Sequence, residues 1–222
     1  MKNAPKNQVI KLKVCGMKYA DNMEAVAKTA PDYLGFIFWE PSKRAFSGDM
    51  GAIPSDIKRV GVFVDAKMDE ILQKVSEFDL QAVQLHGKET SKFCKDLKEN
   101  YTIQKRGNLE IIKVFSILDD FDFSILADYE AVCDYFLFDT KGKLPGGNGY
   151  TFSWQVLKNY PSTKPYFLSG GIGLEEIDKI TTFLEGPESK YCYAIDVNSK
   201  FELEPGLKQF DKLNKFVQLL RK

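Results

Sequence analysis

Cys15 follows directly on "VIKLKV" (9–14), a run that reads as a strand, and Gly16 follows it at once. A thiol at the mouth of a strand can be a packed small side chain, half of a disulfide, a metal ligand or a reactive group. Acidic and basic side chains recur at equivalent places along the chain. Asp139 ends "DYFLFD" (134–139), Asp196 ends "YCYAID" (191–196), His86 follows "LQAVQL" (80–85), and Arg44 lies in the polar loop after "YLGFIF" (33–38). An arginine nearby suits a planar anion. Two glycine loops, "KLPGGNGY" (143–150) and "SGGIG" (169–173), and the stretch "DVNSKFE" (196–202) follow the sixth, seventh and eighth such runs. Glycines let backbone N–H groups approach an anion closely, so Gly147, Gly149, Gly170, Gly171, Asn198 and Ser199 are candidates for holding a phosphate. "GGNG" does not have the spacing of a nucleotide-binding fingerprint.

The elements that must position these residues alternate regularly. Short apolar runs at 9–14, 33–38, 59–64, 80–85, 110–115, 134–139, 164–169 and 191–196 read as strands. Amphipathic stretches separate them: Met23, Val26, Ala27 and Ala30 in one, Met68, Ile71, Leu72 and Val75 in another, and Leu207 to Leu220 in the last. Further helices are predicted near Ala52, Phe93, 121–129, Trp154 and Ile177, with Asp65 as the N-cap of the helix bearing Met68. Eight strand–helix units in 222 residues predict an α/β chain forming one (β/α)8 barrel over residues 1–222. A doubly wound open sheet is the alternative, because periodicity alone does not prove closure. In a barrel, chemistry gathers at the C-terminal ends of the strands. Cys15, Arg44, Asp65, His86, Asp139 and Asp196 all fall there.

Composition narrows the function further. Lysine plus arginine and aspartate plus glutamate each number 31, so the chain carries no formal net charge and shows no basic run. That gives no support to a nucleic-acid partner. No apolar stretch approaches the roughly 20 residues that span a bilayer, and "MKNAPKNQ" lacks the apolar core of a signal peptide, so a cytoplasmic protein with no membrane partner is expected. The four cysteines, Cys15, Cys94, Cys133 and Cys192, contain no C-x-x-C pair, and His86 is the single histidine. Neither a disulfide framework nor a metal site is expected. Cys94, Cys133 and Cys192 read as packing residues, with exposure before the sixth strand an alternative for Cys133.

Eight short motifs in order resemble those of the phosphoribosylanthranilate isomerase family: "KVCGM", "PSKR", "VGVFVD", "VQLHG", "FDT", "GGNG", "LSGG" and "DVNS". The resemblance runs almost the whole length of the chain. It implies a (β/α)8 barrel that carries out an Amadori rearrangement, turning an aminoaldose phosphate into a 1-deoxyribulose phosphate, with no cofactor and no metal. It implies Asp139 as the acid that opens the furanose ring and Cys15 as the base that takes the C2′ proton. Arg44 would hold the anthranilate carboxylate, the late glycine loops the phosphate, and His86 and Asp196 would line the same site. For those roles Asp139 must titrate higher than a free aspartate, with Asp196 a candidate cause, and Cys15 lower than a free cysteine. The aromatics read as core, with Phe36, Phe38 or Trp39 the alternatives for lining the anthranilate pocket. The sequence departs from the family at Lys43, where a proline is usual, and at Asn198 and Lys200, where serine and glycine are usual; Lys200 would add charge near the phosphate. The expected partner is a phosphorylated sugar–anthranilate, bound by a monomer or a homodimer. Competing functions are another phosphosugar isomerase, such as the two-aspartate enzyme of histidine synthesis, and a non-catalytic phospholigand-binding barrel.

Overall fold

The computed structural model describes residues 9–103, 107–118, 120–140 and 153–222. Eight parallel strands close into a barrel in sequence order: β1 (Lys11–Val14), β2 (Tyr33–Ile37), β3 (Lys58–Phe63), β4 (Ala82–Leu85), β5 (Glu110–Ile117), β6 (Tyr135–Thr140), β7 (Tyr166–Leu168) and β8 (Cys192–Val197). The open-sheet alternative is thereby excluded. The seam is the pairing of first and last strands, in which Lys13 stands opposite Asp196 and Val14 opposite Val197.

Strand alternation divides the apolar residues into two cores. Tyr33, Val60, Ala82, Ile112, Leu137, Phe167 and Ala194 fill the lumen. Leu12, Val14, Phe36, Phe63, Ile111 and Phe138 face the opposite way and join the layer under the helices. The helices are α1 (Ala20–Ala27), α2 (Met68–Glu77), α3 (Ser91–Ile103), α4 (Ile177–Glu185) and, near the C-terminus, α5 (Phe210–Leu220). Each buries one stripe at helical spacing, as Met23, Val26 and Ala27 do in α1 and Leu213, Phe216 and Val217 do in α5. A two-stranded antiparallel ribbon, β9 (Glu202–Glu204) with β10 (Leu207–Lys208), stands between β8 and α5. No helix among the described residues is long and apolar enough to cross a membrane.

Several local expectations change. No helix forms near Ala52, where Pro54 withholds a backbone N–H and Gly48 and Gly51 favour irregular chain. The helices expected over 121–129 and near Trp154 are 3-10 turns, Phe123–Tyr129 and Trp154–Asn159, too short to repay α-helix nucleation. Leu207 belongs to β10 and not to the terminal helix, and β1 begins at Lys11 and not at Val9. Asp65 does not cap α2. Lys67 occupies that position. Asp65 has a left-handed backbone (φ 51°), and its carboxylate accepts the Lys88 N–H at 2.5 Å.

Candidate active site

A pocket opens at the C-terminal end of the barrel, enclosing about 730 Å³ of space continuous with solvent. Cys15, Arg44, His86, Asp139, Gly170, Gly171, Asp196, Asn198 and Ser199 all line it. Gly147 and Gly149 lie outside the described residues. Cys15, Asp139 and Asp196 are each 5% exposed, so the two reacting candidates and their neighbour Asp196 sit deep in the pocket and not on its rim.

Asp139 leaves β6 pointing inward, two residues above the lumen residue Leu137. Burial, and next the charge of Asp196, push its carboxyl up to about 7; the Thr140 backbone N–H, Lys13 and Ser169 partly oppose them. A free aspartate is almost wholly ionised at neutral pH, whereas this one still carries a proton in part of the molecules. His86 Nε2 lies 3.5 Å from Asp139 Oδ2, too far for a good hydrogen bond. Burial, with the charges of Lys113 and Lys13, lowers His86 to about 4, so a neutral imidazole faces the acid.

Cys15 sits at the end of β1 and its backbone N–H bonds the Val197 carbonyl at 2.8 Å, which fixes the thiol beside β8. Burial raises its thiol above the ordinary cysteine range, against the pull of the Lys13 ammonium, while Asp196 adds to the rise. The free protein therefore holds a thiol, and the lowered value that a base would want is not its resting condition. Gly16 turns the chain away with a left-handed backbone (φ 75°). A side chain there would place its Cβ 2.7 Å from Asn198 Oδ1 and 2.9 Å from Arg44 Cδ, so the loop closes only on glycine.

Arg44 is already engaged. Its Nε and Nη2 form a two-pronged bond to Glu202, the shortest arm 2.7 Å. Lys208 Nζ donates to the same carboxylate and to Asn198 Oδ1, both at 2.7 Å. Asn198 is thus a brace between Lys208 and the pocket wall. Gly170 and Gly171 take left-handed conformations, φ 94° and 67°, between β7 and the turn that leads to α4. Lys200 packs its Cβ towards Gly173 and is not among the lining residues. Of the aromatics, Trp39 lines the pocket; Phe36 packs on Phe46, and Phe38 stacks on Phe63, both on the outward face. Alternation along β2 and the residues after it sends 37 and 39 inward and 36 and 38 outward. Cys94 and Cys133 are buried, as packing residues should be, and Cys192 is half-buried.

Five residues of the site escaped the reading of the sequence. Lys13 is fully buried in the lumen and its Nζ bonds Asp196 Oδ1 at 2.8 Å. Ser169 Oγ donates to the other oxygen of Asp196 at 3.2 Å. Gln84 lines the pocket, and its Oε1, like His86 Nε2, has no partner among the described residues. Two orphaned polar atoms on one strand, facing one pocket, call for a polar ligand. Glu202 and Lys208 complete the set. Lys13 was within reach of the sequence: in a strand, residues two apart share a face, so a side chain two before Cys15 must point into the lumen with it. Nothing in the sequence flags Glu202 or Lys208, because a ribbon folds them back over the site.

A closed parallel barrel with an inward carboxyl near neutrality, a buried thiol in the same pocket and left-handed glycines after β7 has the form of a (β/α)8 enzyme with a site for a small polar ligand. The comparisons with known proteins name the family. The family model of N-(5′-phosphoribosyl)anthranilate (PRA) isomerase matches residues 12–219, and the chain belongs to that family. The N-(5′-phosphoribosyl)anthranilate isomerase of Parabacteroides distasonis is 41% identical over 213 residues, covering 93% of this chain and 91% of that protein. The crystal structure of the Thermotoga maritima phosphoribosyl anthranilate isomerase superposes with a TM-score of 0.79 at 27% identity, over 95% of this chain and 98% of that one. A further isomerase structure, in complex with reduced 1-(o-carboxyphenylamino)-1-deoxyribulose 5-phosphate, superposes with a TM-score of 0.75 at 25% identity, over 95% and 98%.

Proposed function

We propose that this chain isomerises N-(5′-phosphoribosyl)anthranilate to 1-(2-carboxyphenylamino)-1-deoxyribulose 5-phosphate, a step of tryptophan synthesis, with Asp139 as acid and Cys15 as base. The observation that carries the roles is the pairing of a carboxyl raised to about 7 with a thiol on the floor of one pocket. Asp139 gives its proton to the furanose ring oxygen as the C1′–O bond breaks, leaving a Schiff base to the anthranilate nitrogen. The thiolate of Cys15 takes the C2′ proton; the electron pair of that C–H bond becomes the C1′–C2′ double bond of an enolamine. Tautomerisation to the ketone completes the Amadori rearrangement. An acid raised towards the working pH gives up its proton readily and recovers it between turnovers.

The surroundings suit the rest of such a substrate. Backbone N–H groups near Gly170, Gly171 and Ser199 would receive the phosphate. Arg44, held by Glu202 through Nε and Nη2, keeps Nη1 for the anthranilate carboxylate, beside the indole of Trp39. Gln84 and the neutral His86 offer their unpartnered atoms to sugar hydroxyls.

Complementation tests the reading. A tryptophan auxotroph blocked at this step should grow without tryptophan when it expresses the chain, and should fail with Cys15→Ala or Asp139→Asn at equal protein level. Growth with either variant would remove the assigned acid or base. Failure of the wild-type chain to support growth would remove the activity itself.

A further inference from the structure

Lys13 takes no part in the chemistry just described, yet it is buried at the heart of the site. It is 0% exposed in the lumen, directly beneath the thiol on the same strand face. An ammonium so placed is costly unless it is paired and serves a purpose. The position a Cβ would take on Gly35 lies 2.9 Å from Cys15 Sγ and 3.3 Å from Lys13 Nζ, so sulfur and ammonium lean on the same gap in β2. On its other side Lys13 Nζ bonds Asp196 Oδ1 at 2.8 Å, and Ser169 Oγ holds Oδ2 on the side towards β7. Asp196 in turn acts on Asp139.

We propose that Lys13 is a positioning residue for the base, its ammonium supplying the counter-charge on which the Cys15 thiolate forms. From the resting thiol the proton leaves to solvent through the open pocket; the thiolate so formed takes the C2′ proton, regenerating S–H. The proposal rests on the assignment of Cys15 as base. Among the described residues, the charged or titratable groups acting on or beside this pair are Cys15 on the strand of Lys13 itself, Asp196 on β8, Asp139 on β6, His86 after β4 and Lys208 on β10, while β2 presents Gly35. Burial drives the thiol upward, and the Lys13 ammonium is the largest influence against it, ahead of Lys208. Burial likewise opposes the charge on Lys13, but Asp196 and Cys15 outweigh it and hold the ammonium above the usual lysine range. Lys13 is therefore charged at any pH where the enzyme would work.

The test uses Lys13→Met and the double variant Lys13→Met/Asp196→Asn. The second removes both charges, a change that buried pairs commonly tolerate; because Asp196 itself raises the thiol and Asp139, it is compared with Asp196→Asn alone in place of wild type, and it decides the matter if the first does not fold. Steady-state kinetics give kcat and KM separately. Iodoacetamide labelling across a pH series, read on the Cys15 peptide by mass spectrometry, follows the thiolate. The expected result is a kcat at least about 100-fold lower with KM within about threefold, and a labelling midpoint about one pH unit higher or more. A kcat within about threefold of wild type in folded Lys13→Met, or of Asp196→Asn in the folded double variant, or an unmoved midpoint, would overturn the proposal. Cys15→Ser separates the two layers. If it is inactive while Lys13→Met is unaffected, only the role of Lys13 falls; if Cys15→Ser turns over normally, the base assignment falls.

Discussion

The mouth of the barrel and the wall beneath α3 contain the same ingredients and use them differently. At the mouth stand a buried lysine, a carboxylate and a cysteine: Lys13, Asp196 and Cys15. In the wall stand Lys113, Glu89 and the buried thiols of Cys94 and Cys133. Lys113 spends all three of its protons, on Leu85 O, Gly87 O and Glu89 Oε2. Glu89 also accepts the N–H groups of Asp65 and Gly87, and Tyr129 closes over its carbonyl. Hydrogen bonding there is close to saturation. At the mouth, by contrast, Gln84 Oε1 and His86 Nε2 have no partner among the described residues, and Asp139 is raised towards neutrality beside an open pocket. Residue type alone therefore does not mark a site. Unspent bonding capacity and access to solvent do.

Substitutions sharpen or erase that contrast. The largest difference is expected between cysteines. Cys15→Ser should lower kcat/KM by about 1000-fold with little change in melting temperature. Cys94→Ala should leave kcat/KM within about twofold and instead lower the melting temperature, since it removes a packed side chain. Equal losses of activity in both, measured by steady-state assay, would abolish the distinction. Next comes the wall lysine. Lys113→Met strands the buried Glu89 carboxylate and should cost about 3–5 kcal/mol in denaturant unfolding, while kcat of the folded fraction stays near wild type. A large fall in kcat at unchanged stability would make the wall part of the site.

The smallest effect is in pH. Asp139 binds its proton more tightly folded, near 7, than unfolded, near ~3.9. Its contribution to stability is complete below the unfolded value and is lost as pH rises through about 7. Wild type should therefore lose about 2.5 kcal/mol between pH 5 and 8 that Asp139→Asn does not lose. Unfolding curves at the two pH values check it, and parallel losses in both proteins would refute it. Over the same range kcat/KM should fall at the alkaline side, as the acid loses its proton.

How much of this was written in the sequence follows from the range of the interactions. The eight strands were legible because each is a short apolar run in its own right, and the mouth residues Cys15, His86, Asp139 and Asp196 because each ends such a run. Closure was not legible from periodicity, being a property of the β1–β8 pairing across the whole chain. Of Phe36, Phe38 and Trp39, the first two are core and Trp39 alone lines the pocket, a division that strand parity makes and aromatic type does not. Arg44 was read as a free anion binder, since Glu202 is 158 residues away in sequence and only the β9–β10 ribbon returns it to the site. The two 3-10 turns stand where apolar spacing suggested helices, and that spacing does not distinguish the two.

The seam of the barrel has a consequence in time. Lys13 and Asp196 stand 183 residues apart, on the first and last strands of the ring, and meet only once β8 has docked against β1. Until then the thiol has a lysine beside it but no wall on its far side, and Asp139 lacks the neighbour that helps raise it. A nascent or partly assembled barrel is thus chemically mute. Turnover during refolding would therefore report that the chain's two ends have joined.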